Sequence, residues 1–222
     1  MTRCDLTLKV RLRDMMIAHY ITDQHLSQLA DQHYTTIDQF ISLPELLTIA
    51  DYLTIQKSTF KKAGVGTAHH YAVDKQVRGD YIRWIDPSDT PECLSPIMER
   101  MKQLMDYFNE TCFLGLKDIE AHLTYYPVGT RYARHLDQLQ LNDSRKITFI
   151  IYLNHEWKAA DGGELIVYTQ EDPSSIAPIG GRLVMFRSNI LEHEVIQTQK
   201  ERCSITGWFL DQPAGLTFLH QK

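Results

Sequence analysis

The chain has little of what places a protein quickly. Four cysteines occur in 222 residues, at positions 4, 93, 112 and 203 and never as C-x-x-C. That scatter argues against a disulfide framework and suits reduced thiols in a cytoplasmic protein. Basic charge is in deficit: 23 Lys and Arg against 28 Asp and Glu leave a net charge of −5. No surface built to track phosphates is implied, and nucleic acid is not an expected partner. No apolar run approaches the roughly 20 residues of a membrane span. The opening "MTRCDLTLKVRLRD" breaks every apolar stretch with a charge, so it lacks the h-region of a secretory signal. Internal repeats and low-complexity tracts are missing, and no linker marks a second domain, so residues 1–222 are expected to form one domain.

What is present divides into two textures. Over 1–117 helical periodicity dominates. Met15, Met16, Ile17, Ile21, Leu26 and Leu29 recur at mostly helical intervals, which predicts an amphipathic helix over 15–30. In "SLPELLTIADYLTIQKSTFKKAG" Ser42 and Glu45 fit a capping box, Pro44 lies in the first turn and Gly64 follows a basic end. A third helix is predicted through "IMERMKQLMDYFNE", with Thr90 or Ser95 as N-cap and Met98, Met101, Leu104 and Met105 as its core face. Between the last two helices, "YAVDKQVRGDYIRWIDP" looks like two strands joined around Arg78, Gly79 and Asp80.

From 118 to 212 the chain becomes short strands separated by turn segments such as "ADGG", "EDPSS" and "PIGG". Many short strands at even spacing predict an antiparallel sandwich or jelly roll. The expected fold is therefore α+β, a jelly-roll core packed against N-terminal helices.

Few residues in this pattern invite chemistry. His135 and Asp137 stand two apart on a predicted strand and so face one way. Among ten histidines such a pair arises about once by chance, so its spacing decides nothing. His193 on a later strand would complete a set of two imidazoles and one carboxylate, the arrangement of non-heme Fe(II) oxygenases. Taken alone, it reads as a surface histidine between Glu192 and Glu194. Arg202, Ser204, Thr206 and Trp208 alternate on one face of the last strand. A guanidinium on an inward face needs an anion; on a sheet edge it needs only water. The His69–His70 pair is taken as surface polarity, because neighbours on a strand face opposite ways.

Taken together, "VRGDYIRWI" (77–85), "YPVGTRYARHLD" (126–137), "RKITFIIYLNHEW" (145–157), "GGEL" (162–165), "RLVMFRS" (182–188), "HEV" (193–195) and "RCSITGWF" (202–209) carry a specific resemblance. From about residue 76 to 209 the chain resembles the 2-oxoglutarate- and Fe(II)-dependent prolyl hydroxylases. It is most similar to the branch of the hypoxia-inducible-factor enzymes and their bacterial relatives acting on elongation factor Tu. The resemblance implies a double-stranded β-helix, the cupin-like form of the jelly roll. It implies Fe(II) on His135, Asp137 and His193, with 2-oxoglutarate and O2 as cosubstrates and ascorbate as a reductant. Arg202 and Tyr152 would hold the C5 carboxylate, and Tyr126, Thr206, Trp208 and Leu165 would line that pocket. Arg78, Asp80, Trp84, Arg145 and Tyr132 would meet a peptide substrate, although the alternation Tyr132 shares with Arg134 leaves its direction open. The implied reaction is hydroxylation of a prolyl residue to 4-hydroxyproline, with succinate and CO2 released. The implied partner is an intracellular protein bearing that proline, with elongation factor Tu as one candidate, and the resemblance implies a role in oxygen sensing. A relative acting on a free amino acid, a nucleic-acid demethylase or a non-catalytic sensing module on the same fold would share most of these residues.

Overall fold

The computed structural model describes residues 17, 19–64, 78–138 and 144–213. Cys4, Met15, Met16, the His69–His70 pair and the strand expected before Arg78 lie outside the described residues.

Within the helix expected over 15–30, Ile17 is helical, residues 19 and 20 form a turn, and α1 (Asp23–Asp31) begins after Thr22, which adopts an extended conformation. Ile17 and Ile21 are buried ahead of it. A short strand that sequence patterning did not reveal, β1 (Tyr34–Ile37), follows. Helix α2 (Leu43–Gln56) begins where its capping box places it: Ser42 N–H donates to Glu45 Oε2 at 2.8 Å. It stops well short of Gly64. Lys57–Thr59 tightens into a 3-10 turn, and Lys61–Lys62 is drawn out as β2 by pairing with β3 (Tyr81–Trp84). Helix α3 (Ser95–Cys112) is capped by neither expected residue. Leu94 is the N-cap, and the Ser95 hydroxyl donates to the Pro91 carbonyl at 3.2 Å instead.

Eight strands follow: β4 (Asp118–Tyr126), β5 (Tyr132–His135), β6 (Arg145–Tyr152), β7 (Leu165–Tyr168), β8 (Ser174–Ile176), β9 (Leu183–Arg187), β10 (Glu192–Val195) and β11 (Arg202–Leu210). The segment "EDPSS", expected as a turn, contributes the start of β8. Among the described residues the strands form two antiparallel sheets. The larger runs β1-β9-β6-β11-β4-β3-β2 and the smaller β5-β10-β7-β8.

Alternation then builds two cores from one sheet. Ile147, Phe149 and Ile151 of β6, with Leu123, Ile205 and Phe209, face α2 and α3. Those helices present Leu46, Ile49 and Leu53, and Met101, Leu104, Met105 and Phe108. The other face of the larger sheet meets the smaller one. Tyr126, Ile150, Tyr152, Val184 and Phe186 pack there against Leu165, Val167, Ile176 and Val195. Every candidate site residue belongs to this second layer or to its open end. Among the described residues no helix is long and apolar enough to cross a membrane.

One close approach holds the larger sheet in register. A Cβ at Gly207 would lie 2.4 Å from Phe149 Cζ and 2.5 Å from the Glu120 carbonyl oxygen. Gly207→Ala must therefore push β4 away from β11. It should lower the urea midpoint by an amount equivalent to about 1–3 kcal/mol; an unchanged midpoint would show that the strands can part without cost.

Candidate active site

At the open end of the two sheets three side chains converge. His135 ends β5, Asp137 follows two residues later, and His193 sits on β10 directly opposite His135. His135 Nε2 is 3.5 Å from Asp137 Oδ1, and His193 Nε2 is 3.7 Å from Asp137 Oδ2. One ligand atom from each lies within 4.8 Å of the others. The far side of each ring is anchored: His135 Nδ1 is 2.8 Å from the Ala133 carbonyl and His193 Nδ1 is 3.2 Å from the Leu191 carbonyl. A carbonyl accepts only, so each Nδ1 carries a proton, and each Nε2 is left on the side of the carboxylate. Thr148 donates to Asp137 Oδ2 at 2.8 Å and in turn meets Ser188 Oγ at 2.9 Å. Burial opposes ionisation of Asp137, but His193, His135 and Arg145 outweigh it and hold the carboxyl well below the usual range. Burial pushes the His193 imidazole down to about 4.

Tyr132 belongs to the same face, for a reason that spacing could not reveal. His193 pairs with His135, but Val195 pairs with Tyr132, so β5 carries one extra residue against β10. That irregularity turns Tyr132 onto the face of His135, where the rings stack at 3.7 Å. Arg134 is turned outward to Glu192 and over Tyr168.

Deeper between the sheets lies a charge with too few partners. Arg202 is 1% exposed, and its Nε donates to the Gly163 carbonyl at 2.9 Å. Among the described residues its Nη2 has no partner, and neither does the buried Tyr152 hydroxyl. The guanidinium lies 4.9 Å from the Tyr126 ring and 5.0 Å from the Tyr152 ring. Leu165, fully buried, packs in the same cluster as both tyrosines. Burial pushes the Tyr152 phenol up, with Arg202 pulling against it. Gly163, at φ +68, permits the approach, since a Cβ there would sit 3.1 Å from Arg202 Cδ. An unsatisfied buried guanidinium N–H beside an unsatisfied hydroxyl is a receptor for a carboxylate.

The residues expected at a substrate surface are distributed unevenly. Trp84 is 45% exposed and lies 5.0 Å from the His122 ring, with Trp208 next in the row. Asp80 is fully buried, and both of its oxygens accept from Arg78, at 2.6 and 2.9 Å. It orients Arg78 rather than reaching solvent. Arg78 lies 4.6 Å from the Tyr132 ring, and its backbone bridges to that residue. Arg145 stacks 3.6 Å over Trp208, pairs with Glu120, and approaches the Asp137 carbonyl at 3.4 Å. It therefore braces the carboxylate-bearing turn. Thr148, His122 and Thr124 are site-facing residues outside the sequence-based expectations, whereas Ser204 stands on the face that alternation gave it. Alternation from Tyr152 and Tyr126 along their own strands is the signal that would have found the first three.

Two imidazoles and one carboxylate on one side of a metal, beside a buried anion receptor on a double antiparallel sheet, define a mononuclear oxygenase centre. The donor set and the two orphaned polar atoms fit iron and a dicarboxylate. The sequence model of the 2OG-Fe(II) oxygenase superfamily matches residues 121–210. A Pseudomonas putida prolyl-4-hydroxylase structure is 31% identical, with TM-score 0.76 over 86% of this chain and 98% of that one. The hypoxia-inducible factor prolyl hydroxylase of Caenorhabditis elegans is 27% identical over 93% of this chain and 30% of its own length. Egl nine homolog 1 of Homo sapiens is 34% identical over 62% of this chain and 34% of its own length. The chain belongs to the 2OG-Fe(II) oxygenase superfamily, in its prolyl hydroxylase branch, and spans about a third of the length of these two curated relatives.

Burial makes the stability pH-dependent. His122 is pushed down to about 3, chiefly by burial and then by Arg78 and Arg145, and His193 to about 4. Unfolded imidazoles protonate near 6.5, so below that pH the unfolded chain binds more protons than the folded one. Stability is full above about pH 6.5 and falls as pH drops toward 4, by on the order of 1.4 kcal/mol per unit per histidine. Urea unfolding of the metal-free protein at pH 7 and pH 4.5 should show this loss, and His122→Phe should remove part of it; a flat profile would mean that neither ring is held neutral.

Proposed function

We propose that the protein is an Fe(II)- and 2-oxoglutarate-dependent prolyl 4-hydroxylase acting on a protein substrate. The observation that carries this reading is the pairing of the His135, Asp137 and His193 cluster with the orphaned Arg202 Nη2 and Tyr152 hydroxyl. His135, Asp137 and His193 would hold the iron. Bound iron supplies a redox centre where oxidative decarboxylation of 2-oxoglutarate is coupled to insertion of one oxygen atom from O2 into a substrate C–H bond. The chain's own residues bind, orient and exclude water. Arg202 and Tyr152 anchor the distal carboxylate, Leu165 and Tyr126 close the wall around it, and Thr206 and Trp208 line the same pocket. Thr148 holds the Asp137 carboxylate and Arg145 its backbone carbonyl.

The names of the relatives support a peptide as substrate, and the surface at the mouth suits one. Exposed Trp84 and the Arg78–Tyr132 pair frame the opening, and Asp80 keeps Arg78 from collapsing away from it. An intracellular protein with an accessible proline is the substrate class, and elongation factor Tu is the first candidate by resemblance to the bacterial enzymes. A cytoplasmic location suits the unpaired cysteines. Ascorbate is proposed as the reductant that restores the ferrous state.

Anaerobic addition of Fe(II) and 2-oxoglutarate should produce a visible metal-to-ligand charge-transfer band; a colourless mixture with both components in excess would sink the oxygenase reading. Arg202→Ala should raise the 2-oxoglutarate requirement by about 100-fold, the scale of a lost charge-assisted pair, and leave metal affinity unchanged. Arg78→Ala should depress peptide hydroxylation, read by mass spectrometry as gain of one oxygen on proline, while sparing uncoupled succinate formation. Equal loss of both would assign Arg78 to folding.

A further inference from the structure

Along the inner face of the larger sheet, a row of polar side chains connects His122 to the neighbourhood of Arg202. His122 Nδ1 is 3.0 Å from Thr124 Oγ1. Thr124 Oγ1 donates to Thr206 Oγ1 at 3.2 Å, and Thr206 Oγ1 is 3.2 Å from Ser204 Oγ. Ser204 pairs across the strands with Tyr152 and stands two residues from Arg202. His122, Thr124 and Ser204 are buried, whereas Thr206 retains some exposure toward the opening. No step in the reaction as described uses His122 or Thr124.

Proton counting gives the row a direction. A threonine hydroxyl has one proton and two lone pairs. Thr124 directs its proton to Thr206, so its contact with His122 requires an N–H from the ring. His122 stays neutral at working pH, being held down to about 3 by burial and the flanking arginines. Its single ring proton is thereby assigned to Nδ1. Thr206 accepts from Thr124, which among the described residues leaves the Thr206 and Ser204 hydroxyls with two protons and one contact between them. One O–H therefore remains for an acceptor in the pocket.

We propose that His122 is a positioning residue for the cosubstrate: through Thr124 it sets the direction of the hydroxyl row, so that an O–H is presented to a carboxylate of 2-oxoglutarate. The inference rests on reading the Arg202 pocket as the 2-oxoglutarate site. Packing alone would not ask for histidine here. The ring meets Trp84 at 5.0 Å and Trp208 at 5.5 Å, contacts that a phenylalanine could make as well. What phenylalanine lacks is the Nδ1 proton.

The test is calorimetric titration of 2-oxoglutarate into the full chain loaded with redox-inert Zn(II), which reads binding without turnover. Wild-type protein that fails to bind would overturn the pocket reading, and this inference with it. Given wild-type binding, His122→Phe and Thr124→Val should each weaken 2-oxoglutarate about tenfold, the scale of one hydrogen bond to a charged group. The double variant should be no weaker than either single one. His122→Asn, whose amide N–H stands where Nδ1 stood, should stay within about twofold of wild type, whereas His122→Gln, whose amide mimics Nε2, should resemble His122→Phe. Unchanged affinity in His122→Phe, equal losses in His122→Asn and His122→Phe, or additive losses in the double variant would each overturn the proposal. Zn(II) affinity and melting temperature, measured on every variant, separate these outcomes from misfolding. If His122→Phe does not fold, Thr124→Val against His122→Asn decides on the same terms.

Discussion

The guanidinium of Arg202 sets the terms for the interior. Arginine stays charged at any accessible pH, so burying it without an anion is tolerated only where other interactions hold it in place. Here β11 fixes the backbone at the centre of the larger sheet, the Gly163 carbonyl, just ahead of β7, takes one donor, and two tyrosine rings flank the plane. The charge thus spans the gap between the sheets. Nη2 and the Tyr152 hydroxyl are left over among the described residues, and they are the pair that the proposed function assigns to a dicarboxylate. A receptor of this kind costs stability in the free protein and returns it when an anion binds.

The metal cluster follows the same logic at lower cost. Both histidines use backbone carbonyls two residues earlier in the chain to settle their tautomers, and Thr148 and Arg145 fix Asp137 from β6 of the other sheet. The three donors are therefore organised by hydrogen bonds the fold already makes. Pre-organised ligands lose little freedom when a cation arrives. The helices take no direct part. They cover the far face of the larger sheet, giving β6, β4 and β11 the buried backing that keeps their site-facing residues in register.

Much of this was legible from residue order. The change from helical to strand texture, the capping box at Ser42, and the shared face of Arg202, Ser204, Thr206 and Trp208 all follow from local rules, because capping and alternation act within a few residues. Strand β1, the break ahead of α1 and the C-terminal end of α2 were not legible. Tyr34–Ile37 is a strand because β9 is there to pair with it, and Lys61–Lys62 leaves the helical pattern because β3 takes it up. Pairing partners distant in sequence leave no local mark.

By itself, then, the sequence determined which residue types were available, their order along the strands and the faces on which alternation places them. Only the tertiary structure decided which of them meet. It turned Tyr132 onto His135 through an extra residue in β5, a choice that spacing left open between two directions. It withdrew Asp80 into a buried pair with Arg78 and made Arg145 a brace for Asp137. The physical reason is common to all three. Alternation is a property of one strand, whereas burial and charge compensation depend on what the facing strand brings to the same point.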